Sequence, residues 1–267
     1  MSLSIARPLR AWFAVEVLFG VLAISAVGLQ PDRTATNFAW SISPTVMAAT
    51  LGAFYIASAP LFIMPLFAKR WVMVRVLVLP VVAFSLVQLV ATFVHWDKFH
   101  VDSAPFAVWF ASYVLPPPIF LAGYWWHQRR TGEEPVTVSL APAVRGAAMV
   151  IGALFVALAL VMLFTPGSIT GRFAWKLTPL TAGSAAGWLV AVGGMHLSIA
   201  RENDVARSRL ATPFLIVPLP ALLVQWTRYA DEVDWGSAAL WLVVALFSAS
   251  FLCGLALTRG SWRETFR

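Results

Sequence analysis

The chain has 267 residues, of which 60% are apolar and only 12% are charged. Because a soluble domain carries roughly 25% charged residues, this composition excludes an ordinary soluble fold and indicates that lipid covers most of the surface. The net charge of +7 would suggest nucleic-acid binding in a soluble protein. In a membrane protein, however, basic loops set the orientation, and no basic run here is interleaved with exposed aromatic residues. We therefore predict no nucleic-acid partner.

Eight apolar stretches follow one another along the chain, and each is long enough to cross a bilayer, which takes about 20 helical residues. They lie near residues 11–30, 41–67, 71–94, 104–126, 146–165, 177–200, 210–229 and 236–258. The first stretch follows Arg7 and Arg10 and resembles a signal peptide. Its counterpart in the second half lies in mid-chain, where it cannot be one. The sequence therefore predicts an all-α integral membrane protein with about eight transmembrane helices.

Basic residues are distributed unevenly over the segments between these stretches. If the N-terminus is cytoplasmic, 14 basic residues lie on the cytoplasmic side and five on the other. Cytoplasmic loops carry the excess of Lys and Arg, so we predict that both termini are cytoplasmic. The preference for Arg over Lys and the abundance of Ala favour a bacterial protein of the inner membrane. The cytoplasmic set is Arg7, Arg10, Lys69, Arg70, Arg75, Arg129, Arg130, Arg145, Arg201, Arg207, Arg209, Arg259, Arg263 and Arg267, and the other set is Arg33, Lys98, Arg172, Lys176 and Arg228.

The second half of the chain matches the first at a spacing of 135 residues, which later shifts to 137 and then to 132. Chance would align apolar residues with one another, but not Pro, Trp, Gly, Gln and Asp in the same order. Because four helices per copy make both copies enter the membrane in the same direction, we predict two parallel four-helix repeats related by a pseudo-two-fold axis along the membrane normal. The predicted units are a first repeat at 1–130, a cytoplasmic linker at 131–145 and a second repeat at 146–267.

One repeated element, Phe-Ala-Trp-x-[Ile/Leu]-x-Pro, stands before the second and the sixth predicted helices. Its Trp favours the headgroup level of the membrane, and its Pro fits an early helical turn. We interpret the element as an interfacial anchor that begins a helix. The alternative is that the two copies line an outer vestibule around the repeat axis. The residues concerned are Phe38, Trp40, Pro44, Phe173, Trp175 and Pro179.

Two further matched pairs are polar. Asp102 and Asp234 stand just before the fourth and eighth predicted helices, where an acidic side chain fits a helix N-cap better than a catalytic site. Gln88 and Gln225 lie in the third and seventh helices, and we expect them to hydrogen-bond between helices. The alternative for this pair is contact with a polar substrate in a cavity.

Glu16 is the residue whose burial in a membrane costs the most free energy. It lies about 9 Å along the first helix at 1.5 Å per residue, and its counterpart in the second copy is Ile151. Acids inside a membrane indicate a functional site by default. Arg75 and His196 are predicted on the same half of the membrane, so a cluster of Glu16 with Arg75 or His196 is a candidate site. The alternative is that Arg75 extends to the membrane surface and Glu16 is paired or protonated.

The sequence lacks the motifs that hold cofactors or metals. His196 is the only His within a predicted helix, so two haem ligands do not face each other at one depth. The single Cys253 supplies neither a disulfide nor a metal site. Phosphate-binding glycine loops and zinc motifs are also missing. We predict no metal and no cofactor, and the sequence favours a non-catalytic protein.

Prolines are concentrated in the second, fourth and seventh predicted helices, where interior prolines kink the helix and can open cavities inside a bundle. Three functions remain open. The first is a small transporter or carrier of an apolar or amphipathic molecule. The second is a scaffold or complex subunit that assembles with other membrane proteins. The third is a membrane enzyme acting on lipid, for which paired acids or a Ser/His cluster are missing. In each case the lipid bilayer is a predicted partner.

Overall fold

The protein is described by a computed structural model over residues 3–132 and 134–258. The secondary structure of these residues is helical, with no strand among them. A π-helical segment, Ile24–Leu29, continues α1. The main helices are α1 (Arg7–Ala23), α2 (Thr45–Phe67), α3 (Trp71–Val94), α4 (Ala104–Val114), α5 (Pro116–Gln128), α6 (Pro142–Phe164), α7 (Pro179–Glu202), α8 (Thr212–Ile216), α9 (Pro218–Arg228) and α10 (Ala238–Leu257).

Within the described residues, seven helical segments are long and apolar enough to cross a membrane. All of them coincide with predicted stretches, which confirms the helical class and gives seven candidate membrane-spanning segments. The linker is shorter than predicted, because α6 begins at Pro142 instead of residue 146, and Pro is favoured at the first position of a helix. The predicted cytoplasmic residues Arg259, Arg263 and Arg267 lie outside the described residues. The seven segments are Arg7–Leu29, Thr45–Phe67, Trp71–Val94, Ala104–Gln128, Pro142–Phe164, Pro179–Glu202 and Ala238–Leu257.

The stretch predicted near 210–229 is not one continuous helix. A short helix (Val205–Ser208), α8 and α9 follow one another instead, because prolines at 213, 218 and 220 lack the N–H that an unbroken helix needs. The backbone stays right-handed helical at the joints, with φ −58° and ψ −41° at Arg209 and φ −67° and ψ −31° at Val217. The stretch is therefore divided into three short helices, with helical backbone angles at these two residues.

Two helices, α2 and α7, lie at the centre of the bundle. In the apolar window of each, 72% of the residues are buried, against 28–33% for the segments containing α1, α4–α5, α6 and α10. Helix α2 packs against α1 and α9, whereas α7 packs against α6 and α3. The peripheral helices keep apolar outer faces, as a bundle surrounded by lipid requires.

Small residues allow the closest of these helix pairs to form. A Cβ atom added to Gly152 of α6 would lie 2.9 Å from the carbonyl oxygen of Gly193 in α7, and one added to Gly193 would lie 2.8 Å from that of Gly152. Any larger residue at either position would separate the two backbones. Glycine pairs of this kind are typical of packing between transmembrane helices.

Serines, and not the predicted aspartates, cap two of the helices. The side chain of Ser103 accepts a hydrogen bond from the Phe106 N–H at 3.2 Å, and that of Ser237 accepts one from Leu240 at 3.5 Å. The predicted capping roles of Asp102 and Asp234 are therefore wrong, because each helix begins later than its aspartate requires. Asp234 accepts the N–H of Gly236 at 2.9 Å, in the turn before α10.

Candidate functional site

Glu16 lies at a cavity of about 370 Å³ in the first half of the chain. Helices α1, α2, α3 and α4 form its walls, and Trp188 of α7 completes them. The Glu16 side chain is buried, with 6% exposure, and its Oε1 atom has no hydrogen-bond partner in the described structure. Trp12, one turn earlier on α1, has a buried indole N–H that is also without a hydrogen-bond partner in the described structure.

Hydroxyl groups form a second polar part of this cavity. Tyr55 of α2 and Tyr113 of α4 are both buried, and their hydroxyl oxygens lie 2.6 Å apart in a hydrogen bond. Ser58 donates to the Tyr55 carbonyl at 2.8 Å, and Ser85 donates to the Val81 carbonyl at 3.0 Å. Because these serines donate to their own helices, their oxygens keep only acceptor capacity toward the cavity.

Aromatic rings cover the wall that the central helices form. The Trp188 ring stacks on Phe54 at a centroid distance of 5.5 Å and an interplanar angle of 10°. It also contacts Phe84 at 4.3 Å and the edge of Tyr55 at 4.9 Å. Its indole nitrogen is buried without a partner in the described structure, so this wall offers mainly aromatic surface.

The cavity reaches the surface at one end of the bundle. Leu22 of α1 is 44% exposed and lines it, and Gln30 and Ala104 line it from exposed positions near the ends of their helices. Glu16 lies on α1 about 20 Å from Gln30, at 1.5 Å per residue. The cavity is therefore elongated, with its carboxylate at the end away from this mouth.

A second cavity, of about 500 Å³, lies in the other half of the chain. Its walls come from α6, α7, α9 and α10, and Met47, Thr50 and Phe54 of α2 complete them. Within the described residues, none of its buried side-chain polar atoms lacks a partner. Several lining residues correspond to those of the first cavity at the spacings noted above, namely Phe19 and Leu154, Ala23 and Leu158, Asn37 and Arg172, Phe38 and Phe173, and Ser85 and Leu222.

The predicted cluster of Glu16, Arg75 and His196 does not form. Arg75 instead donates to Glu202 of α7 through two hydrogen bonds, of 2.7 and 2.6 Å. His196 donates from Nδ1 to the Val192 carbonyl at 2.9 Å and lies beside Phe155 at the contact of α6 and α7. The helices that carry these three residues therefore turn them toward different neighbours.

A polar network around Glu202 was missed by sequence reasoning. Arg207 lies 3.5 Å from Glu202 and 3.6 Å from Asp204, and it also donates to the Glu134 and Pro135 carbonyls at 2.8 Å. Asp204 accepts the N–H of Thr137 at 2.7 Å. This network ties the linker to the bundle. The sequence did contain a signal for this network, because Glu202 and Asp204 stand close to Arg207. We used the basic residues of this segment only to predict orientation.

Gln88 and Gln225 line neither cavity. The amide of Gln88 donates to the Ser184 carbonyl of α7 at 3.1 Å, and that of Gln225 donates to the Gly28 carbonyl at 3.1 Å. Arg228 in turn donates to the Gln225 side chain at 2.7 Å. Both glutamines thus connect one half of the chain to the other. This agrees with the predicted hydrogen bonds between helices and not with the alternative, contact with a substrate in a cavity.

The repeated Phe-Ala-Trp element does not face the headgroups. Trp40 is 2% exposed and Trp175 is 7% exposed, so the interpretation as an interfacial anchor is wrong. Trp40 packs edge-on against Trp109 at 4.6 Å, and Phe38 and Phe173 line the two separate cavities. The predicted place in an early helical turn is confirmed for Pro179, which begins α7, whereas Pro44 lies one residue before α2 in an extended conformation.

Comparisons of the chain with protein-family models, with curated proteins and with solved structures give no match. No group of three His, Cys, Asp or Glu side chains is placed to hold a metal ion in the described part of the chain. The chemistry of the two cavities therefore carries the functional argument. The first combines a buried carboxylate with aromatic and apolar walls, and the second is mainly apolar, with Arg172 among its lining residues.

Proposed function

We propose that this chain is a small carrier that binds one amphipathic molecule in the first cavity. The observation that carries the proposal is the buried Glu16 carboxylate, whose Oε1 atom has no hydrogen-bond partner in the described structure, in an otherwise mainly apolar cavity. Binding pockets for small molecules are mostly apolar, with a few converging polar groups, and occupy about 300–1,000 Å³. The volume of about 370 Å³ is in that range. A buried polar atom without a partner costs free energy, which a bound molecule with a donor would recover.

The two-repeat architecture belongs to the same proposal, with units at 1–130 and 146–267 around the linker. Its support is reciprocal packing, since α3 packs on α7 just as α9 packs on α2. Corresponding backbone bonds also join loop to loop, from His100 N–H to the Ala39 carbonyl at 2.9 Å and from Asp234 N–H to the Ala174 carbonyl at 2.8 Å. The kinked path through α8 and α9 then makes the eighth crossing.

With eight crossings, both termini lie on the same side, and the excess of basic residues favours the cytoplasm of a bacterial inner membrane. The mouth of the first cavity, at Gln30 and Ala104, then opens in the outer half of the bilayer. The joint between α4 and α5 lies beside this cavity, where Leu115 keeps helical angles before three successive prolines. Such a kink supplies the hinge that a carrier needs for release.

Filling the first cavity tests the proposal. A Cβ atom added to Gly20 meets no atom within 4 Å, so Gly20→Phe places a ring in the cavity without a backbone clash. Binding of naphthylethanol to protein in phosphatidylcholine nanodiscs is measured by calorimetry, with protein-free nanodiscs subtracted. We expect saturable binding that Gly20→Phe abolishes.

The matched control is Leu158→Phe, which narrows the second cavity in the same way and leaves this binding unchanged. If the probe binds Gly20→Phe as well as it binds the unaltered chain, or binds neither saturably, the carrier proposal fails.

A further inference from the structure

We infer that the molecule bound in the first cavity is a cation, with a protonated amine that pairs with Glu16. This inference rests on the proposed binding function and specifies its ligand. Glu16 is buried in a membrane-spanning segment, and no cation of the described structure forms an ion pair with it. A buried carboxylate without a partner is costly, and a pairing cation is one of the few ways to recover that cost.

The basic residues nearest in sequence and depth are already engaged elsewhere. Arg10, on the same helix, donates to the Leu66 and Ala68 carbonyls at 2.8 and 2.9 Å. Arg75 is bound to Glu202 by two short hydrogen bonds. No Lys or Arg lines the first cavity in the described structure. An anionic ligand would therefore meet only a like charge, whereas a cation would supply the missing partner.

The walls of the cavity suit an organic cation as well. Rings of Tyr55, Phe84, Trp109, Tyr113 and Trp188 line it, and aromatic faces attract ammonium groups within about 6 Å, most strongly where water is excluded. The serine and tyrosine oxygens add acceptors, not cationic donors. The second cavity, by contrast, has Arg172 at its edge and Ile151 where Glu16 would correspond, so it offers nothing to a cation.

The elongated shape assigns each part of the ligand a place. The amine reaches Glu16 at the end away from the mouth, and the apolar part lies along the aromatic wall toward Leu22 and Ala104. The volume of about 370 Å³ accommodates one or two fused rings and excludes a whole phospholipid. The ligand class is thus a compact hydrophobic amine.

Three probes with one skeleton and different charges test this assignment. Naphthylethylamine, naphthylethanol and naphthylacetate are titrated into the full chain in nanodiscs of neutral phosphatidylcholine, which does not concentrate cations at its surface. We expect the amine to bind about tenfold or more tightly than the alcohol, because it forms a charge-assisted hydrogen bond with Glu16. The acid should bind weakest.

Substitution of the carboxylate completes the test. Glu16→Gln keeps the shape and removes the charge, so the amine and the alcohol should bind alike, while Asp97→Asn, which removes an exposed acid, should leave the preference intact. Glu16→Ile, the residue of the second copy, serves if the Gln variant unfolds. Equal binding of amine and alcohol to the unaltered chain, or a preference that survives Glu16→Gln, would overturn the inference while the carrier proposal stands. If none of the three probes binds the unaltered chain saturably, both the cation inference and the carrier proposal are overturned.

Discussion

The two cavities of this protein have corresponding walls and different chemistry. Each lies mainly between four helices of one half of the chain, and a central helix of the other half closes it, with Trp188 in the first cavity and with Met47, Thr50 and Phe54 in the second. At the positions that differ most, the first cavity has Glu16 and Gly20, and the second half has Ile151 and Phe155. The similar walls therefore follow from helix packing that both halves share. The Glu16 carboxylate and the open space beside Gly20 are found only in the first half.

The stacked pair Phe54 and Trp188 separates the cavities, so its loss should have the largest effect. Trp188→Ala removes a ring that is 2% exposed, and truncating a buried Trp costs about 3–5 kcal/mol. We expect that loss of stability in reversible denaturation in mixed micelles. Trp125→Ala is the control, since Trp125 is 58% exposed. Equal losses for the two variants would contradict a structural partition between the cavities.

Glu16 and Ile151 occupy corresponding positions, and exchanging their residue types should change the stability of the protein in opposite directions. Ile151→Glu introduces an acid into a site with 8% exposure, at a cost of about 3 kcal/mol for a charge near a helix centre. Glu16→Ile removes the unpartnered carboxylate, so we expect it to stabilise the protein. Denaturation midpoints in micelles measure both changes. Destabilisation by Glu16→Ile would mean that the carboxylate already has a stabilising partner in the unliganded protein.

The hydrogen-bonded pair of Tyr55 and Tyr113 is a further difference between the two halves, because the second half has no equivalent pair. Tyr113→Phe leaves the Tyr55 hydroxyl without its partner at 2.6 Å, and an unsatisfied buried hydroxyl costs about 1–3 kcal/mol. We expect a loss in this range from the free energy of unfolding. Tyr229→Phe, which removes a hydroxyl outside both cavities, should change stability little. A similar loss in the control would assign the effect to something other than the pair.

The smallest expected effect is a gain. Gly20→Phe should stabilise the protein by roughly 0.5–1 kcal/mol, because Gly is unfavourable inside a helix and the added ring fills open space. The same variant should lose the ligand, so stability and binding would change in opposite directions. Thermal unfolding in detergent, with and without naphthylethylamine, measures both. Destabilisation would show that the space beside Gly20 is too small for a ring.

Sequence reasoning succeeded where the physical cause is local. Apolar length located the seven segments that match candidate spans, because lipid solvates each segment independently. Proline density at 213–220 indicated an irregular helix, and the structure divides this stretch into separate short helices. Glu16 could be identified from the sequence because the free-energy cost of burying an acid in a membrane does not depend on which helix it faces. The capping aspartates failed because the helices start at Ser103 and Ser237, a detail that pattern alone places only to within a few residues.

The sequence by itself determined that this chain is a helical membrane protein and that one acid, Glu16, is out of place in it. Only the tertiary structure decided what that acid faces. Arg75 has a similar predicted depth, yet the rotation of α3 about its axis turns it to Glu202 and leaves Glu16 at a cavity that no Lys or Arg of the described residues lines. Depth follows from counting residues along a helix, whereas the choice of partner depends on helix rotation and crossing, which all the packed side chains set together.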